Sequence, residues 1–336
     1  MKQYIHISDV SSFLSCRRAW DFSSNLRQHL TTIRPYEPFF FGTVMHAFLE
    51  EYYNPEQTAA RQEISNIAYT KLHALPNALP EFIEFGSQLF EHYLQWAKNS
   101  EGNLGDCSFE SLAVEKAFDV PILTPQGFPS SKFRFAGRVD GVWRSRFDGK
   151  LYLHEIKTAT SIDGRIGQLA FEYQPTAYML AMSEVYQEPI AGVVYTLIRK
   201  KLPADPDVLQ NGTLSKHRGI DTTPDHYLAT IKKHHVGITG IEIKTTYGDI
   251  LSTLLNQPNR FFRRILIKRS DAQLTEMRHI LYDVAKDMTN KHLPIYHNPG
   301  YFCGNCQFNQ PCQAMSNGQP IDPILTQFYT RNTRLD

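Results

Sequence analysis

Residues 137–158, GRVDGVWRSRFDGKLYLHEIKT, constrain the fold of this chain more than any other stretch. Apolar residues on both sides of a Phe-Asp-Gly-Lys turn at 147–150 predict two strands joined as a β-hairpin. Side chains alternate between the two faces of a strand, so Glu155 and Lys157 point to the same side. If Asp140 lies opposite them, two carboxylates and one ammonium group converge. This predicts a charged site on the hairpin.

Two carboxylates beside a lysine are suited to phosphodiester hydrolysis. The acids can hold a hard divalent cation through oxygen, and the cation lowers the pKa of a bound water. Lys157 could orient that water or meet the negative charge that develops during the reaction. The triplet Glu-x-Lys is common, however, and by itself is more typical of a solvated hairpin with surface charges; the apolar setting and the upstream Asp140 favour the site.

Three motifs in this sequence resemble one nuclease family. Asp140, followed fifteen residues later by Glu155-Ile156-Lys157, resembles the D…(D/E)xK core of the PD-(D/E)xK nuclease superfamily, with Val139 in place of the nominal proline. Upstream, residues 42–46 (GTVMH) resemble the G-x-x-x-H helix of its RecB-like branch. Downstream, residues 174–178 (QPTAY) resemble the QxxxY motif of the same branch. The motifs occur in the expected order.

The resemblance implies a fold, a cofactor and a set of site residues. The implied fold is α/β, a restriction-endonuclease-like core in which a central mixed sheet is flanked by helices. The implied cation is Mg²⁺ or Mn²⁺. Asp140, Glu155 and Lys157 are the expected catalytic residues, and the expected metal ligands are His46, Asp140, Glu155 and Ile156. Glu115 could add a ligand from a neighbouring strand, although an ion-paired surface glutamate is the more ordinary interpretation.

Four residues are candidates for DNA contact: Gln174, Tyr178, Arg263 and Arg264. Gln174 and Tyr178 are four apart, so they share one face of a predicted helix over residues 168–186. There an amide and a phenol can bond a phosphate or a base, or hold a catalytic group. Residues 259–269, NRFFRRILIKR, interleave cations with apolar and aromatic residues. Such a strip can track phosphates and stack on bases, and it can equally be a strand with one apolar face.

A cysteine cluster lies near the C-terminus. Cys303, Cys306 and Cys312 fall within ten residues, CGNCQFNQPC, whose Gly, Asn and Pro predict a loop that wraps a metal. Zinc commonly takes such cysteines. The fourth candidate is Cys16, which could also be a small buried residue inside a helix. Cys107 lies outside the pattern.

The pairing of an N-terminal cysteine with a C-x2-C-x5-C tail adds to the resemblance. Residues 16–20 (CRRAW) resemble the C-x-R-x-(Y/W) segment that opens the iron–sulfur RecB-like nucleases. AddB nuclease domains and CRISPR-associated single-domain exonucleases are members of this group, and phage-encoded members are similar to the later part of the chain. The resemblance implies a [4Fe–4S] cluster on Cys16, Cys303, Cys306 and Cys312 that staples the two ends of the chain. Zn²⁺, and free or disulfide-bonded cysteines, are the alternatives.

Composition excludes a global electrostatic attraction to nucleic acid. Lys and Arg total 35 against 34 for Asp and Glu, so a DNA-binding surface must be a local groove. With 336 residues of which 42% are hydrophobic, the chain can bury a large core. No stretch approaches 18 consecutive apolar residues, which predicts a cytoplasmic protein with no membrane partner. In the cytosol, five cysteines are unlikely to form structural disulfides.

We predict one elaborated nuclease domain. Its expected parts are an N-terminal cysteine and His46 helix (1–53), a helical insertion (54–105), a catalytic core (106–200), an accessory region (201–295) and the cysteine cluster (296–315). Within the first and third parts, the pattern predicts a helix over 43–53 and a loop over 158–165.

The expected function is that of a metal-dependent DNA exonuclease. The resemblance implies single-stranded or end-bearing DNA as substrate and a role in end processing, recombination or replication, with proteins of those pathways as partners and a phage as one source. One alternative is a CRISPR-adaptation nuclease that trims spacer precursors. Others are a DNA-binding recombination subunit with weak hydrolytic activity and a zinc-stapled interaction protein.

Overall fold

A central mixed sheet organises the molecule. The computed structural model describes residues 2–33, 37–59, 61–75, 78–99 and 102–331. Within them, six strands form the sheet: β1 (Gln3–Ile5), β3 (Phe109–Leu123), β4 (Pro129–Ser145), β5 (Leu151–Ala159), β6 (Ile190–Arg199) and β7 (Phe262–Ile267). β4 pairs antiparallel with β3 and β5, β6 runs parallel to β5, and β7 is antiparallel to β6. A separate ladder joins β2 (Leu30–Thr32) to β8 (Tyr329–Arg331) near the two ends of the chain.

Helices cover both faces of the sheet. They are α1 (Ile7–Ser15), α2 (Arg17–Ser23), α3 (Glu37–Tyr53), α4 (Arg61–His73), α5 (Pro80–Asn99), α6 (Ile162–Leu169), α7 (Tyr173–Tyr186), α8 (Pro224–His234), α9 (Gly240–Asn256), α10 (Asp271–Met288), α11 (Asn309–Ser316) and α12 (Asp322–Phe328). α1, α7 and α10 pack together over one face, while α3, α4 and α5 form the layer on the other. The predicted α/β class, a mixed sheet flanked by helices, is confirmed.

The buried central strand β5 contributes to both cores. Leu151 and Leu153 pack into the core beneath α1, α7 and α10, whereas Ile156 packs into the core beneath α3 and α5. This is the alternation expected of a strand with two covered faces. The hairpin predicted over residues 137–158 is present, with its turn between β4 and β5. Charged residues of β5 therefore project into a largely apolar environment.

Two predicted element boundaries were wrong. The helix that carries His46 begins at Glu37, six residues before the predicted start, so His46 lies in its third turn. The loop predicted over 158–165 contains the start of α6, whose N-cap Ser161 accepts a hydrogen bond from the Gly164 N–H. The helix predicted over 168–186 is correspondingly broken, because Pro175 lacks an N–H and fits only the first turn of α7.

Arg264 on β7 is the centre of a buried polar network. Its side chain is 2% exposed and forms an ion pair with Asp106. The guanidinium also donates to the Tyr53 and Tyr93 hydroxyls at 2.6 and 3.0 Å, and to the Leu104 carbonyl at 3.0 Å. It therefore ties β7 to α3 and α5. This burial and these partners favour a structural role for Arg264 over the predicted contact with DNA.

Replacing Arg264 should destabilise the fold strongly. Arg264→Ala removes the cation beside the part-buried Asp106 carboxylate, which among the described residues keeps only the Tyr52 and Tyr53 hydroxyls as donors, and we expect a loss of about 3 kcal/mol in the free energy of unfolding. The control is Arg263→Ala, which removes an ion pair to the exposed Asp163 and should cost about 1 kcal/mol or less. Urea denaturation measures both. Equal shifts of the two midpoints would contradict the structural role of Arg264.

Candidate active site

Glu155 and Lys157 occupy the same face of β5 and contact each other. The Lys157 Nζ donates to Glu155 Oε1 at 2.6 Å and to Gln174 Oε1 on α7 at 2.9 Å. The Glu155 side chain is 3% exposed and that of Lys157 is 21% exposed. The structure therefore excludes the solvated-hairpin interpretation, since surface charges would not be buried in this way.

Asp140 joins this pair at the point where β4 and β5 separate. Main-chain pairing between the two strands runs from Arg144 opposite Leu151 to Gly141 opposite His154 and then stops. The next bond is made by a side chain, because the Ile156 N–H donates to Asp140 Oδ2 at 2.7 Å. The Asp140 carboxylate is thus fixed by the backbone of the strand that carries Glu155 and Lys157.

His46 and Glu115 approach Asp140 from two other elements. The His46 Nδ1 on α3 lies 3.5 Å from Asp140 Oδ1. Glu115 lies on β3, where pairing passes from Val114–Gly141 to Lys116–Val139 and so skips the Glu115–Asp140 position. Ligand atoms of His46, Glu115 and Asp140 all lie within 4.8 Å of one another. Carboxylate oxygens with one imidazole suit a hard divalent cation such as Mg²⁺ or Mn²⁺.

Glu115 has an unusual backbone conformation. Its φ of 45° is in the left-handed region, which a residue with a β-carbon rarely adopts within a strand. Strained backbone is concentrated at functional sites in proteins. Its carboxylate also lies 3.5 Å from the Arg138 guanidinium. Glu115 therefore forms the ion pair that the sequence analysis treated as the more ordinary interpretation. It also lies in the cluster with His46 and Asp140, as expected of an additional metal ligand.

Glu155 and Ile156 complete the set of predicted metal ligands. Glu155 lies beside the three clustered residues, and its Oε1 accepts the hydrogen bond from Lys157. The main chain of Ile156 contacts both Asp140, through its N–H, and the His46 ring. All four predicted ligands thus lie in one neighbourhood, and their roles as ligands remain predictions.

Burial makes it costly for the two clustered carboxyl groups to carry charge. It raises the pKa of Asp140 to about 6, and burial with the nearby Asp140 charge raises the pKa of Glu155 to about 7. Burial lowers the pKa of His46, which favours the neutral imidazole that can bind a metal. Burial alone would lower the pKa of Lys157, but Glu155 and Asp140 outweigh it and raise that pKa. A bound cation would relieve this concentration of carboxylates.

Gln174 holds the lysine, and Tyr178 is bonded to Gln174. The Gln174 side chain accepts a hydrogen bond from Lys157 and is also hydrogen-bonded to Tyr178. The Tyr178 ring is 6% exposed and packs on Phe118 and Phe135. Of the two roles left open by the sequence, the geometry favours holding a catalytic group. Direct DNA contact by Gln174, Tyr178 or Arg263 remains a prediction.

The four predicted cluster cysteines line one cavity of about 400 Å³. Cys16 lies between α1 and α2 in an extended conformation, with φ −159° and ψ 110°, so the prediction that it sits inside a helix was wrong. Cys303 belongs to a short 3₁₀ helix (Tyr301–Asn305), and Cys312 lies in α11, where the sequence predicted a loop. Cys107 is exposed and is not among the cavity-lining residues.

Hydrogen-bond donors surround these sulfurs. The Asn298 N–H donates to Cys16 Sγ at 3.5 Å, the Gly300 N–H to Cys303 Sγ at 3.3 Å, and the Arg18 guanidinium to Cys312 Sγ at 3.7 Å. Hydrogen bonds to the sulfur ligands are a common feature around thiolate-bound metal centres. The pKa of Cys306 is raised by burial and by the three other thiols, so four thiolates here require a positive partner.

The spacing of the thiols bears on which metal centre they fit. In a tetrahedral zinc site with Zn–S bonds of about 2.3 Å, the sulfurs lie about 3.8 Å apart. Among the described residues, which include all four cysteines, no three thiols lie within 4.8 Å of one another. Four thiols around one cavity are a donor set that fits an iron–sulfur cluster and also a zinc ion.

Comparison with known proteins gives one family. The model of the PD-(D/E)XK nuclease superfamily matches residues 6–313, nearly the whole chain. A comparison with curated proteins gave no match. In the part of the chain that the structure describes, no helix combines the length and apolar character needed to cross a membrane.

The affinity for a cation should depend on pH in a defined direction. Asp140 and Glu155, with pKa values of about 6 and about 7, hold protons in the acidic range that a cation must displace. Affinity for Mn²⁺ should therefore increase as pH rises through these values, by up to about tenfold per pH unit for each proton displaced, and then level off. Calorimetric titration in buffers of different ionisation enthalpy measures the affinity and the released protons. An affinity independent of pH would contradict the assignment.

Proposed function

The chain belongs to the PD-(D/E)XK nuclease superfamily, and from this membership we propose that it is an exonuclease acting on single-stranded or end-bearing DNA. Metal-dependent phosphodiester hydrolysis is the activity that the superfamily implies. The observation that carries the assignment to this site is the convergence of Asp140, Glu155 and Lys157 next to His46. A DNA-binding subunit without catalysis would not require this complete set.

The residues of the site can be given separate roles. Asp140, His46 and Glu115 would hold the cation, with Glu155 and the Ile156 main chain beside them. A divalent cation held by these residues would polarise the phosphodiester and lower the pKa of a bound water. Glu155, with a pKa near neutrality, is suited to accept a proton from the attacking water. Lys157, kept protonated and held by Glu155 and Gln174, is placed to stabilise negative charge on the phosphate.

Burial of the site supports a preference for strand ends or single strands. The Asp140 and Lys157 side chains are only 16% and 21% exposed, and Glu155 is almost fully buried. A flexible single strand or a frayed end can place a phosphate at this depth more easily than a continuous duplex. The expected substrate is therefore DNA with an unpaired segment.

We assign the cysteine cavity to a [4Fe–4S] cluster, with Zn²⁺ as the alternative. A cluster there would cross-link the junction of α1 and α2 to the segment before and within α11. The same ends are also joined by the β2–β8 ladder and by Phe22, Phe308 and Tyr329, which pack together. The cluster would strengthen an existing contact between the termini, and we propose a structural role for it.

The cellular role follows less directly from the site. End processing in recombination or replication, with proteins of those pathways as partners and a phage as one source, is the role we propose for a cytoplasmic exonuclease of this kind. Trimming of spacer precursors in CRISPR adaptation uses the same chemistry and is the alternative.

Replacing Glu155 tests the catalytic assignment. Glu155→Gln keeps the shape of the side chain but removes the proton acceptor, so cleavage of end-labelled single-stranded DNA with Mn²⁺ should fall by roughly 100-fold or more. Binding of the same DNA should be retained. Glu110→Gln is the matched control, since Glu110 is an exposed residue of β3. Wild-type rates for Glu155→Gln would overturn the site assignment.

Metal analysis tests the cysteine assignment. Cys16→Ala should lose iron, sulfide and the visible colour of the anaerobically purified protein, and lower its thermal midpoint about as much as Cys306→Ala, because both remove a ligand of one cross-link. Cys107→Ala is the control and should keep both the iron–sulfur colour and the thermal midpoint. About four iron and four sulfide per chain are expected. One zinc without sulfide would establish the alternative, and full iron content in Cys16→Ala would remove Cys16 from the ligand set.

A further inference from the structure

Two grooves meet beside the active site. The larger, of about 1130 Å³, has His6, Arg138, Gln174 and Tyr178 in its wall. The smaller, of about 460 Å³, is lined by residues of α1 and by residues 171–174. Ser11 and Gln174 line both grooves. Together the two grooves form a path whose shared wall contains Gln174, which accepts a hydrogen bond from Lys157, so a polymer bound along the path would pass next to the residue that holds the catalytic lysine.

Phe171 stands in the wall of the smaller groove with its ring in solvent. It is 85% exposed, the highest value for any phenylalanine whose side chain the structure describes. Tyr173, two residues later, is 39% exposed. Exposing a large aromatic side chain forgoes the free energy gained by burial. Two exposed rings next to Gln174 thus mark a place where an external apolar face can be bound.

The loop that carries Phe171 is braced on both sides. Leu169 is fully buried, and its carbonyl accepts a hydrogen bond from the Arg269 guanidinium at 3.0 Å. Arg269 also donates to Thr176 Oγ1 at 2.9 Å, which links the loop to α7. Arg165 and Glu172 form an ion pair across the loop. The main chain that carries the ring is therefore held in a defined position, which lowers the entropy lost when a ligand packs against Phe171.

Hydroxyl groups of α1 form another part of the wall of the path. Ser8, Ser11 and Ser15 are exposed on α1, at spacings of three and four residues that keep them on one side of the helix. Hydroxyls of this kind contact phosphate and sugar oxygens without regard to sequence. One part of the wall therefore suits a sugar–phosphate backbone, and another part suits the flat face of a base.

We propose that this path binds a single-stranded polynucleotide and that Phe171 stacks on a base next to the phosphate that is cleaved. The proposal rests on the proposed function and adds the residue that selects an unpaired substrate. A base within a duplex already stacks on its neighbours and cannot offer its face to Phe171. Base–aromatic stacking is tolerant of sequence, since every base has a flat face.

Few cations line the path, and this predicts that binding depends only weakly on salt. Arg138 is the only Arg or Lys among the residues that line the larger groove, and Arg165 is the only one among those that line the smaller. Both are ion-paired, with Glu115 and Glu172. Binding that depends on phosphate neutralisation weakens steeply with salt. Binding by stacking and hydroxyl contacts should weaken much less.

The test compares Phe171 with a matched exposed phenylalanine. Phe147 is 68% exposed in the turn between β4 and β5 and serves as the control position. Full-length Phe171→Ala, Phe171→Trp and Phe147→Ala are assayed with Mn²⁺ on a single-stranded oligodeoxynucleotide and on a blunt duplex. Phe171→Ala should raise KM for the single strand about tenfold with little change in kcat. Phe171→Trp should restore KM, and Phe147→Ala should not change it.

A binding measurement separates this proposal from the proposed function. In the Glu155→Gln background, an oligodeoxynucleotide with 2-aminopurine near its end should be quenched on binding, and Phe171→Ala should abolish the quenching. If the wild type cleaves single strands but Phe171→Ala matches Phe147→Ala in KM and quenching, the stacking role is wrong and the nuclease function stands. If the wild type cleaves no DNA, the proposed function is wrong, and quenching that depends on Phe171 would still support the binding path. Equal effects on single strand and duplex would overturn the selectivity.

Discussion

The hydrogen bond from the Ile156 N–H to the Asp140 carboxylate is the contact on which the site depends. It forms where the β4–β5 ladder ends, so one carboxylate takes the place of the next main-chain partner. This bond holds Asp140 beside Glu155 and Lys157. All three residues lie on paired strands, so no loop has to become ordered to bring them together. A site built on paired strands keeps its geometry because the ladder already fixes the backbone.

The site is held together against its own electrostatic repulsion. Burial raises the pKa values of Asp140 and Glu155, and a carboxyl group of this kind stabilises the fold at low pH and loses that contribution as pH rises through its folded pKa. Near neutral pH the metal-free site is therefore a source of instability. The hydrophobic cores on both faces of the sheet and the polar network around Arg264 supply the stability that offsets this instability. This is the usual relation between a catalytic site and its scaffold.

Helix α1 connects the two proposed centres of the molecule. Its exposed serines line the path beside the active site, and Ser15 lies in the walls of both the smaller groove and the cysteine cavity. Cys16 follows directly at the end of the helix. A metal centre bound to Cys16 would therefore fix one end of the wall of the proposed binding path. The structural role proposed for the cluster thus extends to the shape of the binding path.

The sequence by itself determined the hairpin and the site residues within it, because the period-two alternation and the turn at 147–150 are local properties of the chain. It also singled out His46, Gln174 and the four cysteines, by motif and by resemblance. Only the tertiary structure decided which distant residues contact one another. Glu115 is in the site because β3 skips one pairing opposite Asp140, and Arg264 is buried because three distant elements close over it. Periodicity identifies the face on which a side chain lies, whereas contacts between residues far apart in sequence depend on how the elements pack.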